Sequence, residues 1–277
     1  MLTPARKRKL KRLGRRMKFH FWNFWGWIRI AMKKRLTASH EIHIWHESAS
    51  FQKRLGDLKV RNYRRAIILG NGMGLNKIDR EFSKVLRHDS ETLVIGLNRA
   101  YMRYEPDVLL WIDEETRRDI LKHFFRREVL VIQTAKKDPY WLQMDYWHRN
   151  RNFRDFKERG LFFMRTILIS ALHLCFLLGV KEIILIGVDF DSRTYFFEGH
   201  PYYDSASHYE IADPAFIQKG ALGYSTHRAV QEVIEYLIEK EHYSIRYTDE
   251  SRFLSNIRGL QKVDVKNIYP NSLIAVI

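Results

Sequence analysis

Ala66-Ile67-Ile68-Leu69-Gly70-Asn71-Gly72-Met73-Gly74-Leu75 is the stretch on which the fold turns. A short apolar run that ends in closely spaced glycines reads as a buried strand leaving the sheet through a tight turn. The spacing of Leu75, Ile78, Phe82, Val85 and Leu86 then predicts a helix. Working outward, apolar strand patterns recur at residues 92–97, 108–112, 129–132, 183–188 and 243–247. Helical patterns fall between them, at residues 115–125, 161–178 and 230–241. Apolar strands separated by helices imply βαβ units, hence an α/β fold with a mostly parallel sheet and helices on both faces.

The 277-residue chain has a formal net charge of +16, but the charge is not spread evenly. Residues 1–40 hold 13 of the 48 Lys and Arg and no acid, and the remaining 35 bases nearly balance the 32 acids. Within this arm lie Phe19, Phe21, Trp22, Phe24, Trp25 and Trp27, a cluster too short and too polar to span a bilayer that needs ~20 apolar residues. Its aromatic core and the lack of a small-residue cleavage site also speak against a signal peptide. Indole rings flanked by cations suit a lipid headgroup layer, so residues 1–40 are expected to form a basic, aromatic helix on an anionic membrane surface. Nucleic acid is the less favoured partner. Residues 41–65 read as a linker and 66–277 as the α/β body, with a polar, tyrosine-rich lid at about 191–226.

Candidate chemistry gathers at strand ends. Gly70, Asn71 and Gly72 sit between a strand and a helix, where backbone N–H groups would face a phosphate. The G-x-G-x-G spacing differs from the dinucleotide fingerprint, and no Lys-Ser/Thr follows it. Asn98 closes the next strand, in position to read a base or ribose. Asp189 and Asp191 end the most apolar strand and, with Asp113, could hold a divalent metal. His40, His43 and His46 lack the zinc-protease spacing. His200, His208 and His227 accompany the lid, and His227, read as lying just before the helix from Val230, is the best-placed general base. Cys175, the single cysteine, reads as a packing residue within the apolar stretch 161–180, itself a buried helix rather than a membrane span. There is no G-x-S-x-G nucleophile elbow.

These motifs together resemble the bacterial sialyltransferases of glycosyltransferase family 42. The residues that carry the likeness are Gly70-Asn71-Gly72, Asn98, Arg165-Thr166 and the block from Leu178-Gly179 to Gly187-Val188-Asp189-Phe190, and it extends over residues 66–258. The resemblance implies a Rossmann-like nucleotide-sugar domain with a small lid, CMP-sialic acid as donor, a lipooligosaccharide or polysaccharide hydroxyl as acceptor, and no metal or other cofactor. It implies inversion at the sugar, with His227 as base and Tyr195 and Tyr224 on the departing phosphate. Arg165 falls beside the donor-binding segment, and Gly70, Asn71, Gly72, Asn98, Thr166 and Asp189 line the nucleotide. Phenol O–H donors aimed at a leaving phosphate stabilise its charge without a cation.

The likeness has gaps. Gly-Asn-Gly-Met-Gly stands for the family's Gly-Asn-Gly-Pro-Ser, Thr166-Ile167-Leu168 for its Thr-Ser-Gly, and Asp191 replaces the first lid tyrosine. The donor sugar is therefore open. The run Asn98-Arg99-Ala100, Pro106-Asp107, Asp113 also resembles 6-hydroxymethylpterin diphosphokinase-like proteins, in which Asp113, Asp189 and Asp191 would bind Mg²⁺. A non-catalytic nucleotide or nucleic-acid binding protein is the third reading. The expected location is the cytoplasmic face of the bacterial inner membrane, held peripherally by residues 1–40.

Overall fold

The computed structural model describes residues 49–111, 130–133, 147, 150–153, 161–162, 164, 166–188, 190 and 226–269. The arm 1–40, the pattern at 115–125, the lid 191–225, and the residues Asp113, Arg165, Asp189, Asp191, Tyr195, His200, His208 and Tyr224 lie outside these described residues.

Seven strands form one parallel sheet: β1 Arg65–Leu69, β2 Thr92–Leu97, β3 Val108–Trp111, β4 Leu130–Gln133, β5 Glu182–Ile186, β6 Ser244–Tyr247 and β7 Gln261–Lys262. Their spatial order is β4-β3-β2-β1-β5-β6-β7, so the winding direction reverses between β1 and β5. Ile67 pairs with Val94 on one side and Ile184 on the other. Five helices accompany them among the described residues: α1 Ala49–Val60, α2 Arg80–His88, α3 Ile167–Leu178, α4 Thr226–Glu239 and α5 Arg252–Ser255. Helix α1 occupies part of the stretch read as a linker.

The strands bury both faces, as a parallel sheet must. Ala66, Ile68, Leu93, Ile95, Ile183 and Leu185 pack with α3 and α4, whereas Ile67, Leu69, Val94, Ile184 and Ile186 pack with Leu75, Val85, Leu86 and Ile268. The expected α/β architecture, with helices on both faces, is what the chain builds.

Three helix boundaries differ from the sequence reading. The helix predicted from Leu75 to Leu86 is two elements, a 3-10 turn Met73–Lys77 and then α2, because the Asp79 carboxylate accepts Phe82 N–H at 2.8 Å and starts a new helix there. The helix predicted over 161–178 begins only at Ile167, where Thr166 Oγ1 accepts Leu168 N–H at 3.3 Å. Leu161 and Phe162 are instead non-helical chain tied to α3 by two buried polar side chains. His173 Nδ1 accepts Phe162 N–H at 2.9 Å, and Ser170 Oγ donates to Phe162 O at 3.0 Å. Burial holds the His173 imidazole near a pKa of about 3, against an opposing hydrogen bond with the Phe153 backbone. Cys175 is fully buried beside it and burial pushes its thiol upward. The third difference is α4, which starts at Thr226 rather than Val230 and so takes His227 into its first turn. No helix among the described residues is long and apolar enough to cross a membrane.

Candidate functional site

In an open parallel sheet, ligands bind beyond the carboxyl ends of the strands where the winding reverses. Here that place lies between β1 and β5, and the glycine turn occupies it. Gly70 N–H donates to Ile186 O at 2.8 Å and Gly72 N–H to Gly187 O at 2.7 Å, so the two strand exits are zipped together. A Cβ at residue 70 would lie 2.2 Å from Gly187 O, and Gly187 itself has φ +67°. The close approach needs both glycines. It also spends the Gly70 and Gly72 amides on β5, and the element that follows is a five-residue 3-10 turn. The expectation that these two N–H groups cradle a phosphate at a helix start is therefore not met.

A third strand exit joins the knot. Asp249, buried just beyond β6, accepts Val188 N–H through Oδ2 at 3.2 Å. Its other oxygen fills the space beside the Gly74 Cα. Lys77 Nζ reaches back to Thr248 O at 2.6 Å. Asp249 was not among the residues singled out from sequence. Its position past the 243–247 strand pattern, on the ligand edge, was the signal that could have found it.

What the turn does offer is side-chain oxygen. Asn71 Oδ1 and Asn98 Oδ1 are both buried and, among the described residues, neither accepts a hydrogen bond. Each lies two residues past the register pair Leu69–Gly96 that ends the β1–β2 ladder. Asn98 also adopts a left-handed backbone, φ +50°, fixed by its N–H donating to Leu110 O at 2.8 Å. A buried acceptor left unpaired costs about 1–3 kcal/mol, which a ribose hydroxyl or an exocyclic amine could relieve. Asparagine is among the few residues that adopt this left-handed backbone readily.

His227 reaches the same edge from the other side. The C-terminus of α4 leads within a few residues into the start of β6, so the helix runs back across its layer and its first turn lies at the carboxyl edge. Thr166, at the start of α3, is carried to that edge in the same way by a helix that feeds β5. The His227 imidazole stacks on Phe253 with centroids 4.2 Å apart and planes 15° apart. Phe190 stands edge-on to it at 5.7 Å and 87°. Phe190 follows Val188 by two residues, and a Cβ at Gly70 would touch Val188 Cγ2 at 2.9 Å. The turn and the histidine are thus linked through one short segment, whose Val188 lies against Gly70 and whose Phe190 packs on His227. The predicted residues Gly70, Asn71, Gly72, Asn98, Thr166 and His227 therefore share one sheet edge, while Arg165, Asp189, Tyr195 and Tyr224 lie outside the described residues.

No cluster of three or more His, Cys, Asp or Glu able to hold a metal occurs among the described residues, and the candidates Asp113, Asp189 and Asp191 are not among them. A cavity of about 920 Å³ opens at the opposite, amino edge of the sheet. Arg61, Tyr63, Asp89, Tyr104 and Asp107 line it, and burial pushes Tyr104 up to about 12 and raises the Asp107 carboxyl. It lies away from the switch point, and none of Gly70, Asn71, Gly72, Asn98, Thr166 and His227 lines it.

Comparison with known proteins gives structural likeness only. No family model matches the chain, and no curated protein matches it. Among solved structures it is similar to the sialyltransferase CstII from Campylobacter jejuni in complex with cytidine-5'-monophosphate, at 16% identity and a TM-score of 0.43, over 72% of this chain and 85% of that one. It is also similar to the monofunctional α-2,3-sialyltransferase Cst-I from the same organism, at 17% identity and a TM-score of 0.40, over 71% and 80% of the two chains. At these values the likeness says nothing about activity.

Proposed function

We propose that this chain is a glycosyltransferase that moves a sialic-acid-like sugar from a CMP-linked donor to a hydroxyl of a glycan or glycolipid. The observation that carries the reading is that the Gly70 turn and His227 stand at one sheet edge, linked by the short segment that places Val188 against Gly70 and Phe190 against His227. It supports a ligand held beyond the strand ends at the winding reversal, with an imidazole on the same sheet edge. The buried, unpaired acceptor oxygens of Asn71 and Asn98 would take the hydroxyl and amine donors of a cytidine.

In the proposed reaction His227 removes the proton from the acceptor hydroxyl as its oxygen attacks the anomeric carbon. The bond from that carbon to the phosphate oxygen breaks, CMP departs with the electron pair, and the configuration inverts. Tyr195 and Tyr224 would donate O–H groups to the leaving phosphate and Arg165 would add a fixed positive charge, roles that come from the sequence resemblance. No metal enters this scheme. The basic, aromatic residues 1–40 would hold the enzyme on the anionic cytoplasmic face of a bacterial membrane, where lipid-linked acceptors lie.

Calorimetric titration with CMP, UDP, GDP and ATP, each with and without Mg²⁺, tests the donor class. Selective CMP binding that ignores Mg²⁺ supports the transferase; ATP binding that requires Mg²⁺ overturns it in favour of a diphosphate-transfer enzyme. For the arm, liposome sedimentation against a nucleic-acid shift, with and without residues 1–40, separates a membrane anchor from a polyanion-binding tail.

A further inference from the structure

We propose that Phe253 is a positioning residue for His227: it holds the imidazole by its face, Phe190 closes the second side, and the segment 248–253 ties that placement to the nucleotide turn. The inference rests on the reading of His227 as the base.

Phe253 lies parallel to the imidazole at 4.2 Å, a stacked contact that removes one face of the ring from solvent. Phe190 stands near-perpendicular to both rings, to His227 at 87° and to Phe253 at 80°, so the three side chains pack as one aromatic corner that restricts the imidazole. All three are only partly buried, whereas Leu254, the next residue in the chain, is fully buried. Phe253 thus packs at the edge of the core and presents its ring to a titratable side chain.

The segment that carries Phe253 is itself anchored twice. Ser251 Oγ accepts Leu254 N–H at 3.1 Å and so starts α5 at a defined residue. Four residues before Phe253, Asp249 is locked against Gly74 and Val188 N–H. One short stretch therefore shapes the turn that would hold the nucleotide and the plate that holds the base. A base displaced by about 1 Å can lose 10²-fold in rate, so a plate on a rigid segment has a use.

The test uses the full chain with ¹³C-labelled histidine, the His227 signal being identified by its absence in His227→Gln. Stacking on Phe253 predicts an upfield ring-current displacement of the His227 ring proton, lost in Phe253→Leu and kept in Phe253→Tyr. Kinetics with a CMP-linked donor should show kcat lowered by about tenfold or more in Phe253→Leu, KM for the donor within about twofold, and recovery in Phe253→Tyr. Phe253→Met is the second truncation if the leucine variant does not fold. An unmoved His227 signal in the truncated variant, or a raised KM with unchanged kcat, overturns the proposal. A wild-type chain that transfers no sugar defeats the enzymatic reading, while the resonance still decides whether Phe253 holds the ring.

Discussion

Asp249 stands where a side chain at residue 74 would have to go: a Cβ on Gly74 would fall 1.3 Å from Asp249 Oδ1. The buried carboxylate and the missing side chain are two halves of one contact. Through it β6 supports the turn that leaves β1, and through Val188 N–H it supports the turn that leaves β5.

Gly74→Ala should therefore destabilise the chain by about 1–3 kcal/mol, since the short Asp249 side chain cannot swing clear without abandoning Val188 N–H. Asp249→Ala should cost a similar amount, about 1–3 kcal/mol, by leaving the buried Val188 N–H without its acceptor. In the double variant the two costs should be less than additive. Urea unfolding of the three variants measures this, and strict additivity would show that the two residues act separately.

Asn98 combines a strained backbone with a buried acceptor, and two substitutions separate these. Asn98→Gly suits φ +50° and should leave stability nearly intact, whereas Asn98→Ala should cost about 1 kcal/mol. Both should weaken CMP binding by about tenfold, because both remove the amide. Calorimetry showing wild-type affinity in the glycine variant would remove Asn98 from the site.

His227→Ala should abolish turnover while CMP affinity stays within about threefold, since a base acts in the transition state and contributes little to ground-state nucleotide binding. Retained turnover removes the base assignment.

The buried His173 makes stability fall in mild acid. Its folded pKa of about 3 lies below the ~6.5 of an unfolded histidine, so the unfolded chain takes up a proton that the native state refuses. Stability is full above the unfolded value and should decline from about pH 6.5 downward, by up to ~1.4 kcal/mol per unit from this group. His173→Gln should be less stable at neutral pH, with Phe162 N–H less well satisfied, yet show a shallower decline between pH 6.5 and 5. Parallel pH curves for the two proteins would exclude His173 as the source.

A second acid-sensitive group sits at the amino edge. Burial alone would raise the Asp89 carboxyl, but hydrogen bonds from Thr92, Tyr269 and the Glu91 amide, with the charge of Arg65, bring it below its ordinary value. Its contribution is present at neutral pH and lost as pH falls through the depressed value. Tyr269 O–H donates to Asp89 at 2.8 Å and its ring packs under Arg65, tying the chain after β7 to the sheet. Tyr269→Phe should cost about 1–2 kcal/mol at pH 7 and less in acid, a difference that thermal melts at the two pH values read directly.

Much of the fold was legible because it is written in short-range pattern. The apolar runs at β1, β2 and β5 announce strands buried on both faces, and the alternation with helices announces a parallel sheet. Gly70, Asn71, Gly72 and Asn98 were legible as candidates because they follow such runs directly. Two-residue β7 was not legible, since Gln261 and Lys262 are exposed and join the sheet through backbone alone. Asp249 and Phe253 were missed for a related reason: an acid and a phenylalanine after a strand look ordinary until their distant partners are known.

The amino-acid order by itself determined which segments become strands and helices, because burying apolar side chains at a given period is a local property of the chain. Only the tertiary structure decided that β5 lies beside β1, that the winding therefore reverses at the glycine turn, and that His227 meets Phe253 and Phe190. Those are contacts between segments far apart in the chain. They are selected by how the whole set of faces can be covered at once, which no single stretch specifies.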